Sequence, residues 1–488
     1  MLLSKSDFLK YRICPSYFWL WKHEPDQVPD ESSEAVRDNK FEQGNKVEAI
    51  ARGLFPDGKL IDGFNVVAEA NTRAAIASGS KVLFQATVIV DGLLAMADVI
   101  EQDGDGWHLY EVKATGSVKK EHIPDMAFQK IAFEKAGFKI TKISVIHLNK
   151  TYVRHSVLID PDKFFTITNI NEEVDAISPE VHDQIAIALE VMSRDEEPST
   201  CPCRELSRGK HCPTFARFNP DVPKYSVYDI SRMQGKKLLE LVDSEIFKVT
   251  DIPADFKLTP NQQIQVDVER SGEPLIKVSK IHDELNTFEF PLYFIDYESV
   301  NPAIPILNGT QSHQQVVFQY SLHILDTPDS ELRHTEYLCR DDKPESFHAL
   351  AQQMRKDIGD NGNIIVWNKV FERGRNTEMG ALFPELSSFF SSMNERIYDL
   401  KDIFSKNYYV HPGFWGSNSI KDVLPILAPH LSYKELAIGK GDLAAVRWFE
   451  IVTGEDSSES DTVFNHLLKY CGLDTLAMVE IYNVLRKL

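Results

Sequence analysis

Two carboxylates of the chain have a spacing that could hold a metal ion. Asp296 and Glu298 follow an apolar run in the segment Phe-Ile-Asp-Tyr-Glu at 294–298. In a strand, side chains two residues apart point to the same face. Like charges side by side are unfavourable unless a cation holds them, and Mg²⁺ and Mn²⁺ prefer carboxylate oxygens. The pattern therefore predicts a divalent-metal site, with an exposed strand end carrying two solvated acids as the alternative.

Further acids downstream favour the metal site. Glu372 comes shortly after a second predicted buried strand at 363–367, and Tyr470 and Asp474 lie four residues apart in a helical run at 464–485. Residues four apart share one face of a helix. Four acids that converge from these elements could hold two metal ions, with Tyr470 placed to orient a water. Such a site is equipped for in-line hydrolysis of a phosphodiester bond.

These three segments resemble motifs I, II and III of the DEDD 3′→5′ exonucleases, which have an RNase H-like fold. Tyr470 stands where the other branch carries histidine, so the resemblance is to the Tyr branch, DEDDy. Motif II normally carries Asp, whereas this chain has Glu372, whose extra methylene can change the metal geometry. The resemblance covers 288–488 and implies that Mg²⁺ or Mn²⁺ is held by four acids: Asp296, Glu298, Glu372 and Asp474.

A second candidate site lies in the N-terminal half. Asp91-Gly92 joins two strand-like runs at 82–90 and 93–100, and the next predicted strand, 107–113, carries Glu111 and Lys113 on one face. Asp98 lies on the neighbouring strand. Two acids bind a divalent ion, and an adjacent lysine can polarise the scissile phosphate or position the water. An ordinary cross-strand Asp–Lys pair on the surface is the alternative.

The same residues, with Gln129 on a predicted helix at 123–136, resemble the PD-(D/E)xK nuclease core in the order of its RecB and Cas4-like branch. Ala97 stands at the nominal Pro of the motif, and Phe133 stands where many relatives carry Tyr. Glu48, on a predicted helix at 38–54, could face this site or simply solvent. The resemblance implies a catalytic set of Asp98, Glu111, Lys113 and Gln129, with Glu48, Asp98 and Glu111 as metal ligands.

Three cysteines are clustered after a polar helix at 171–195. The spacing of Cys201, Cys203 and Cys212 is not that of a zinc ribbon, and Cys14 would supply a fourth thiolate. Four thiolates suit an iron–sulfur cluster or zinc equally well. One N-terminal cysteine and a later group of three, flanking a nuclease core, resemble the [4Fe–4S] pin of Cas4 and AddB-type nucleases, which favours iron. The remaining two cysteines are interpreted as structural: Cys339 and Cys471.

Two other features of the C-terminal half have open interpretations. Asp399 could be an accessory ligand, but a helix cap is the better prediction. The aromatic segment 408–421 could stack single-stranded bases, with Lys421 on a phosphate, or could simply be packed. A polar acidic loop is predicted at 454–461.

Length and composition agree with a protein of two or three domains. The 488 residues are 43% apolar and 26% charged, which is a globular composition. The net charge of −20 disfavours a generally basic nucleic-acid-binding surface, but an acidic site can meet phosphates through metal ions. No apolar run reaches the roughly 18 residues of a transmembrane helix, and charged residues from Lys5 to Arg12 interrupt any signal-peptide core. We therefore expect a cytoplasmic protein without a membrane partner.

The predicted fold class is α/β. We expect a PD-(D/E)xK restriction-endonuclease-like domain with the four-cysteine cluster at 1–220, a small helical connector at 221–287, and an RNase H-like DEDDy domain at 288–488. Taken together, the chain resembles one bacterial family that fuses a RecB/Cas4-like nuclease to a DEDD-type domain. The segments F-I-D-Y-E-S, F-Q-Y-S-L-H and G-S-N-S-I-K fit that family.

The resemblances imply a metal-dependent nuclease that hydrolyses phosphodiester bonds of DNA, at single strands or 3′ ends, in repair, end processing or defence. One alternative is an RNA 3′-exonuclease. The other is a nucleic-acid-binding or assembly module in which one or both nuclease cores are inactive. Glu372, which replaces the Asp of motif II, keeps this last alternative open for the C-terminal half.

Overall fold

The computed structural model describes residues 1–30, 32–454 and 458–488, so part of the predicted acidic loop, 455–457, lies outside the described residues. The protein is α/β, with several sheets and a helical C-terminus. It divides into two compact units. We call them the N-terminal unit (Met1–Ser32, Arg37–Asp221 and Ala303–Ser312) and the C-terminal unit (Ser33–Val36, Val222–Pro302 and His313–Leu488).

The N-terminal unit is built on a seven-stranded sheet. Its strands are β1 (Leu3–Ser4), β2 (Lys59–Leu60), β3 (Val82–Val90), β4 (Leu93–Asp103), β5 (Gly106–Lys113), β6 (Ile140–Leu148) and β7 (Phe165–Asn169). The order is β2-β3-β4-β5-β6-β7, and β1 pairs with β4 in parallel. The predicted hairpin is confirmed: Asp91 and Gly92 both have positive φ, which suits a two-residue turn between antiparallel strands.

Helices flank this sheet. They are α1 (Lys5–Ile13), α2 (Pro15–His23), α3 (Glu34–Ala51), α4 (Asn65–Ala77), α5 (His122–Lys135), α6 (Pro161–Phe164), α7 (Asn171–Ser193) and α8 (Phe215–Phe218). α5 is the crossover between the parallel strands β5 and β6. α1 begins with a capping box between Ser4 and Asp7, and Cys14 closes its last turn. A 3₁₀ turn continues α3 to Leu54, where the predicted helix ends.

The C-terminal unit contains a five-stranded sheet in the order β11-β10-β9-β12-β13. In chain order, the strands of this unit are β8 (Leu275–Ile276), β9 (Leu292–Val300), β10 (Val316–Leu325), β11 (Arg333–Leu338), β12 (Asn363–Val366), β13 (Ile397–Asp399) and β14 (Tyr409–Val410). β9, β10 and β11 form an antiparallel meander, and β12 joins the other side of β9 in parallel. A short ladder of β8 with β14 lies outside this sheet.

Ten helices of the C-terminal unit are described. They are α9 (Lys236–Asp243), α10 (Pro260–Ser271), α11 (Val278–Leu285), α12 (Pro344–Asp357), α13 (Lys369–Leu382), α14 (Ser387–Glu395), α15 (Asp402–Ser405), α16 (Ile420–Leu427), α17 (Gly441–Thr453) and α18 (Ser460–Leu485). Buried apolar residues of α18, such as Met478 and Ile481, pack with Phe294 of β9 in one core cluster. This packing fixes the last helix against the central strand.

Within residues 1–30, 32–454 and 458–488, no helix combines the length and the apolar character needed to cross a bilayer.

Candidate metal sites

The five residues predicted from the C-terminal motifs line one pocket of about 270 Å³. We call it the carboxylate pocket; its members are Asp296, Glu298, Glu372, Tyr470 and Asp474. They come from three elements that are far apart in sequence but adjacent in the fold.

Strand alternation and helix phase place these side chains. Asp296 and Glu298 lie two apart in β9, so both face the pocket. β12 runs parallel to β9, and the chain leaves it into α13, whose first turn carries Glu372. Tyr470 and Asp474 lie one turn apart on α18. The predicted strand and helix around these residues are thus confirmed as elements.

Burial and mutual repulsion shift the titration of the pocket acids. Burial raises the pKa of Asp296 well above its ordinary value, and Asp474, Glu298 and Glu372 raise it further. Burial and Asp474 raise the pKa of Glu298 in the same way, although the Lys421 ammonium opposes this rise. Burial raises the pKa of Glu372 to about 8 and that of Asp474 to about 6. A divalent cation would relieve this repulsion, because opposite charge favours the ionised form.

One buried carboxylate oxygen of the pocket, Glu372 Oε2, is available to bind a metal ion. Glu372 is 2% exposed, and its Oε2 has no hydrogen-bond partner. A buried polar atom without a partner is unfavourable by about 1–3 kcal/mol, more if it is charged. The residues present therefore fit a bound divalent ion, despite the longer side chain in motif II.

Lys421 and Tyr433 complete the surroundings of the pocket. The Lys421 ammonium donates to the Tyr470 hydroxyl at 3.1 Å and to the Gly439 carbonyl at 2.8 Å. The Tyr433 hydroxyl donates to Asp474 Oδ1 at 2.6 Å. Contact of Lys421 with a phosphate was one of the two open interpretations of the aromatic segment 408–421. Tyr433 was missed, because no spacing relates it to the motif acids.

Cys471, predicted to be structural, lies beside the carboxylate pocket. Its Sγ is 4.0 Å from Asp296 Oδ2 and 3.7 Å from the Asp296 carbonyl oxygen. Burial and the surrounding carboxylates raise the pKa of this thiol well above its ordinary value. Cys339, by contrast, donates to the Ser346 carbonyl at 3.5 Å and packs as predicted.

The two features with open interpretations have clear positions. Asp399 is not the N-cap of α13, which is Asn368, but its Oδ2 accepts from the backbone N–H of Lys369, the first residue of that helix, at 3.0 Å, and its Oδ1 accepts from the Lys401 N–H at 3.1 Å. In the aromatic segment, Tyr409 and Phe414 are core residues, which favours packing. Trp415 is 48% exposed, with the Lys224 ammonium 4.5 Å from its ring centre.

The predicted Glu111, Lys113 and Gln129 meet in the N-terminal unit. Lys113 donates to Glu111 Oε1 at 2.7 Å, and Gln129 donates to Glu111 Oε2 at 2.7 Å. Strand alternation on β5 and the inward face of α5 bring them together. Phe133, one turn beyond Gln129, is fully buried in the core.

Two further residues belong to this site, and the sequence analysis missed both. Lys5 of α1 donates to Glu111 Oε1 at 2.6 Å. Asp125, 2% exposed, accepts from Lys113 at 2.7 Å and from Gln129 at 3.1 Å. The i, i+4 spacing of Asp125 and Gln129 on α5 was a signal for the acid, but nothing local points to Lys5. We call this set the N-terminal site: Lys5, Asp98, Glu111, Lys113, Asp125 and Gln129.

Two acids of the N-terminal site, Asp98 and Glu111, have pKa values shifted in opposite directions. Burial opposes ionisation of Glu111, but the ammonium groups of Lys5 and Lys113 outweigh it and lower its pKa to about 2. Burial and the Glu111 charge raise the pKa of Asp98 to about 8, although Asp98 Oδ2 accepts from the Val112 N–H at 2.7 Å. Burial also opposes the charge of Lys5, yet the carboxylates around it raise its pKa. Paired acids with separated pKa values are common at functional sites.

Glu48 lies on α3 near this site. Its Oε1 accepts from Arg52 at 2.8 Å and from Gln85 at 2.5 Å, and its charge contributes to the raised pKa of Asp98. The carboxylate is thus already paired with a cation, and it faces the protein as well as solvent.

The four predicted cysteines form one buried cluster. The Sγ atoms of Cys14, Cys201, Cys203 and Cys212 all lie within 4.8 Å of one another, with Cys14 and Cys201 at 3.3 Å. Such a group can bind a metal ion, as an iron–sulfur cluster or as zinc. Tetrahedral Zn–S bonds of about 2.3 Å put sulfurs about 3.8 Å apart, so a single ion fits this spacing. A four-iron cluster is larger and would require the thiols to spread.

The chain is similar to one family model and to several proteins. A family model described as "Domain of unknown function (DUF2779)" matches residues 293–419, which include Asp296, Glu298 and Glu372. "Uncharacterized protein UU173" of Ureaplasma parvum serovar 3 is 26% identical over 300 residues, 54% of this chain and 41% of the relative. "Uncharacterized protein MG366" of Mycoplasma genitalium is 26% identical over 220 residues, 42% of this chain and 33% of the relative. The chain therefore spans less than half the length of these relatives.

Proposed function

We propose that this protein is a metal-dependent nuclease that removes nucleotides from DNA 3′ ends at the carboxylate pocket and cuts DNA at the N-terminal site. The observation that carries the proposal is the convergence of Asp296, Glu298, Glu372, Tyr470 and Asp474 on one pocket. The sheet order β11-β10-β9-β12-β13, with acids on and after its central strands, supports an RNase H-like arrangement of the DEDD type.

The chemistry of the carboxylate pocket follows from its charges. Divalent ions held by the four acids would activate the attacking water and stabilise the leaving oxygen. Tyr470 holds its hydroxyl at the pocket with the help of Lys421, and it would orient the water. Tyr433 keeps Asp474 in place and favours its ionised form. Burial of the acids would limit the competition of bulk water for bound ions.

Compared with the carboxylate pocket, the N-terminal site has fewer acidic side chains and more lysines. Asp98 and Glu111 would hold a divalent ion, and Glu48 would support them. Lys113 would polarise the scissile phosphate, while Gln129 fixes the Glu111 carboxylate. This assignment follows the PD-(D/E)xK resemblance, and the shared contacts of Glu111 with Lys113 and Gln129 support it.

One observation favours a second candidate function for the N-terminal unit. Glu111 is already bound by two ammonium groups, those of Lys5 and Lys113, and by an amide. A carboxylate so well neutralised has less need of a metal ion. The N-terminal unit would then bind nucleic acid, and the carboxylate pocket alone would cut.

The test is digestion of 5′-labelled single-stranded DNA, duplex DNA and RNA with Mg²⁺ or Mn²⁺. We compare wild type with Asp296→Asn, Glu111→Gln and the double variant. A ladder shortening from the 3′ end that disappears in Asp296→Asn supports the exonuclease and identifies its polymer. Cleavage that remains in Asp296→Asn and disappears in the double variant supports the second nuclease site.

Glu395→Gln serves as the matched control, because this carboxylate is exposed on the last turn of α14. It should digest every substrate at the wild-type rate. Digestion that is equal in wild type and the double variant would disprove both active sites. Preferential digestion of RNA would favour the RNA 3′-exonuclease.

A further inference from the structure

Cys471 lies beside the carboxylate pocket and close to two of its acids. It follows Tyr470 on α18 and projects toward β9, where its Sγ lies 4.0 Å from Asp296 Oδ2. Ligand atoms of Asp296, Glu298 and Cys471 all lie within 4.8 Å of one another. Among the described residues, the only other such group of acids, histidines or cysteines is the four-cysteine cluster.

These separations match the coordination sphere of one ion. Zinc–oxygen bonds of about 2.0–2.2 Å and zinc–sulfur bonds of about 2.3 Å put the two ligands about 3.6 Å apart at a tetrahedral angle. The same bonds place them a little over 4 Å apart when they lie opposite each other. The observed 4.0 Å lies between these limits. A modest side-chain rotation would therefore bring both atoms onto a common ion.

A second observation also points to a ligand here. The buried Glu372 Oε2, which has no hydrogen-bond partner, lines the same pocket. Mixed oxygen and sulfur donors suit borderline and soft ions better than Mg²⁺, which prefers oxygen alone.

We propose that Asp296, Glu298 and Cys471 form a site for a thiophilic divalent ion, of the zinc, cadmium or cobalt(II) class, where the carboxylate pocket borders Cys471. The inference deepens the proposed function, because these two carboxylates would also hold the Mg²⁺ or Mn²⁺ of the exonuclease. Mg²⁺ would leave the thiol protonated and outside its coordination sphere. A thiophilic ion would form the metal–sulfur bond while the thiol proton passes to solvent, without any change of oxidation state.

The direct test is a cobalt(II) titration of the full chain, with the four-cysteine cluster loaded, followed by optical absorption. Thiolate coordination produces a sulfur-to-cobalt charge-transfer band in the near ultraviolet. Wild type should gain this band, and Cys471→Ser should not, so comparing the two cancels any signal from the four-cysteine cluster. Cadmium affinity, measured by calorimetry, should fall by about tenfold or more in Cys471→Ser.

Two controls make the result specific. Cys339→Ser removes another buried thiol of the same unit and should keep both the band and the cadmium affinity. Cys471→Ser should bind Mg²⁺ as wild type does, which shows that the pocket is intact. Equal cobalt spectra and equal cadmium affinities for wild type and Cys471→Ser would overturn the inference. These readouts do not require hydrolysis, so a failure of the nuclease proposal would be seen separately in the digestion experiment.

Discussion

Lys5 and Cys14 lie at the two ends of the same nine-residue helix, α1. Lys5 is its first residue, and its ammonium is 2.6 Å from Glu111 Oε1. Cys14 closes the helix, and its Sγ is 3.3 Å from Cys201 Sγ. A short helix is rigid, so anchoring its C-terminal end through Cys14 also helps to fix the position of Lys5 in the N-terminal site.

Loss of the cluster should therefore loosen α1. Cys201→Ser should lower the unfolding temperature by at least about 5 °C, because structural metal sites contribute directly to folding free energy. Amide hydrogen exchange along α1 should become faster in the same variant. Cys339→Ser is the control, since this thiol lies outside the cysteine cluster and donates to the Ser346 carbonyl. Unchanged exchange in α1 would show that the cluster does not anchor this helix.

A brown preparation bleached by a reductant would indicate iron, and a colourless one would indicate zinc.

Lys5 should act as a positioning residue for Glu111. Lys5→Ala should reduce N-terminal-site cleavage by about tenfold or more, measured in the Asp296→Asn background. It should also raise the pKa of Glu111, which carboxyl-carbon NMR can follow, whereas Lys5→Arg should restore much of both properties. Arg12→Ala, at an exposed position of the same helix, should resemble wild type. If Lys5→Ala changes neither rate nor titration, Lys5 is only a structural ion pair.

Glu372 should make the metal-free protein less stable as the pH rises. Its pKa is about 8 in the folded state, above its ordinary value of 4.5. At pH values between 4.5 and about 8, Glu372 keeps its proton in the folded state but has lost it in the unfolded state. The free energy of unfolding then falls by up to about 1.4 kcal/mol per pH unit. Glu372→Gln should remove this contribution to the slope between pH 5 and 8 in urea unfolding, while the exposed Glu395→Gln should not. A variant with the wild-type slope would contradict the raised pKa.

Tyr433 should control the pH range over which Asp474 binds metal. Its hydroxyl favours the ionised carboxylate, against the burial that raises the pKa of Asp474 to about 6. Tyr433→Phe should raise that pKa further, so Mn²⁺ affinity at pH 6 should fall by about tenfold and recover at higher pH. Calorimetry at several pH values measures this. Tyr408→Phe, half-buried in the aromatic segment, is the control. A loss of affinity that is the same at every pH would indicate damage to the pocket rather than a titration.

The local elements that carry the candidate residues could be predicted from the sequence. Alternation placed Asp296 and Glu298 on one face of β9, and the four-residue spacing placed Tyr470 and Asp474 on one face of α18. The Asp91-Gly92 turn and the strands on either side of it were predicted as well. These features depend on neighbouring residues, whose geometry is fixed by the backbone itself. The grouping of Cys14 with Cys201, Cys203 and Cys212 followed from the family resemblance, since only the last three are clustered in the sequence.

Tertiary structure alone decided which distant side chains touch these residues. Lys5 meets Glu111, 106 positions later in the chain, because α1 and β5 pack in one unit. Tyr433 reaches Asp474, and Cys471 reaches Asp296, only after α18 packs against the sheet. No sequence period encodes such contacts, since they depend on how whole elements pack. The sequence therefore determined the chemistry that is available, and the packing decided the charge balance of each site.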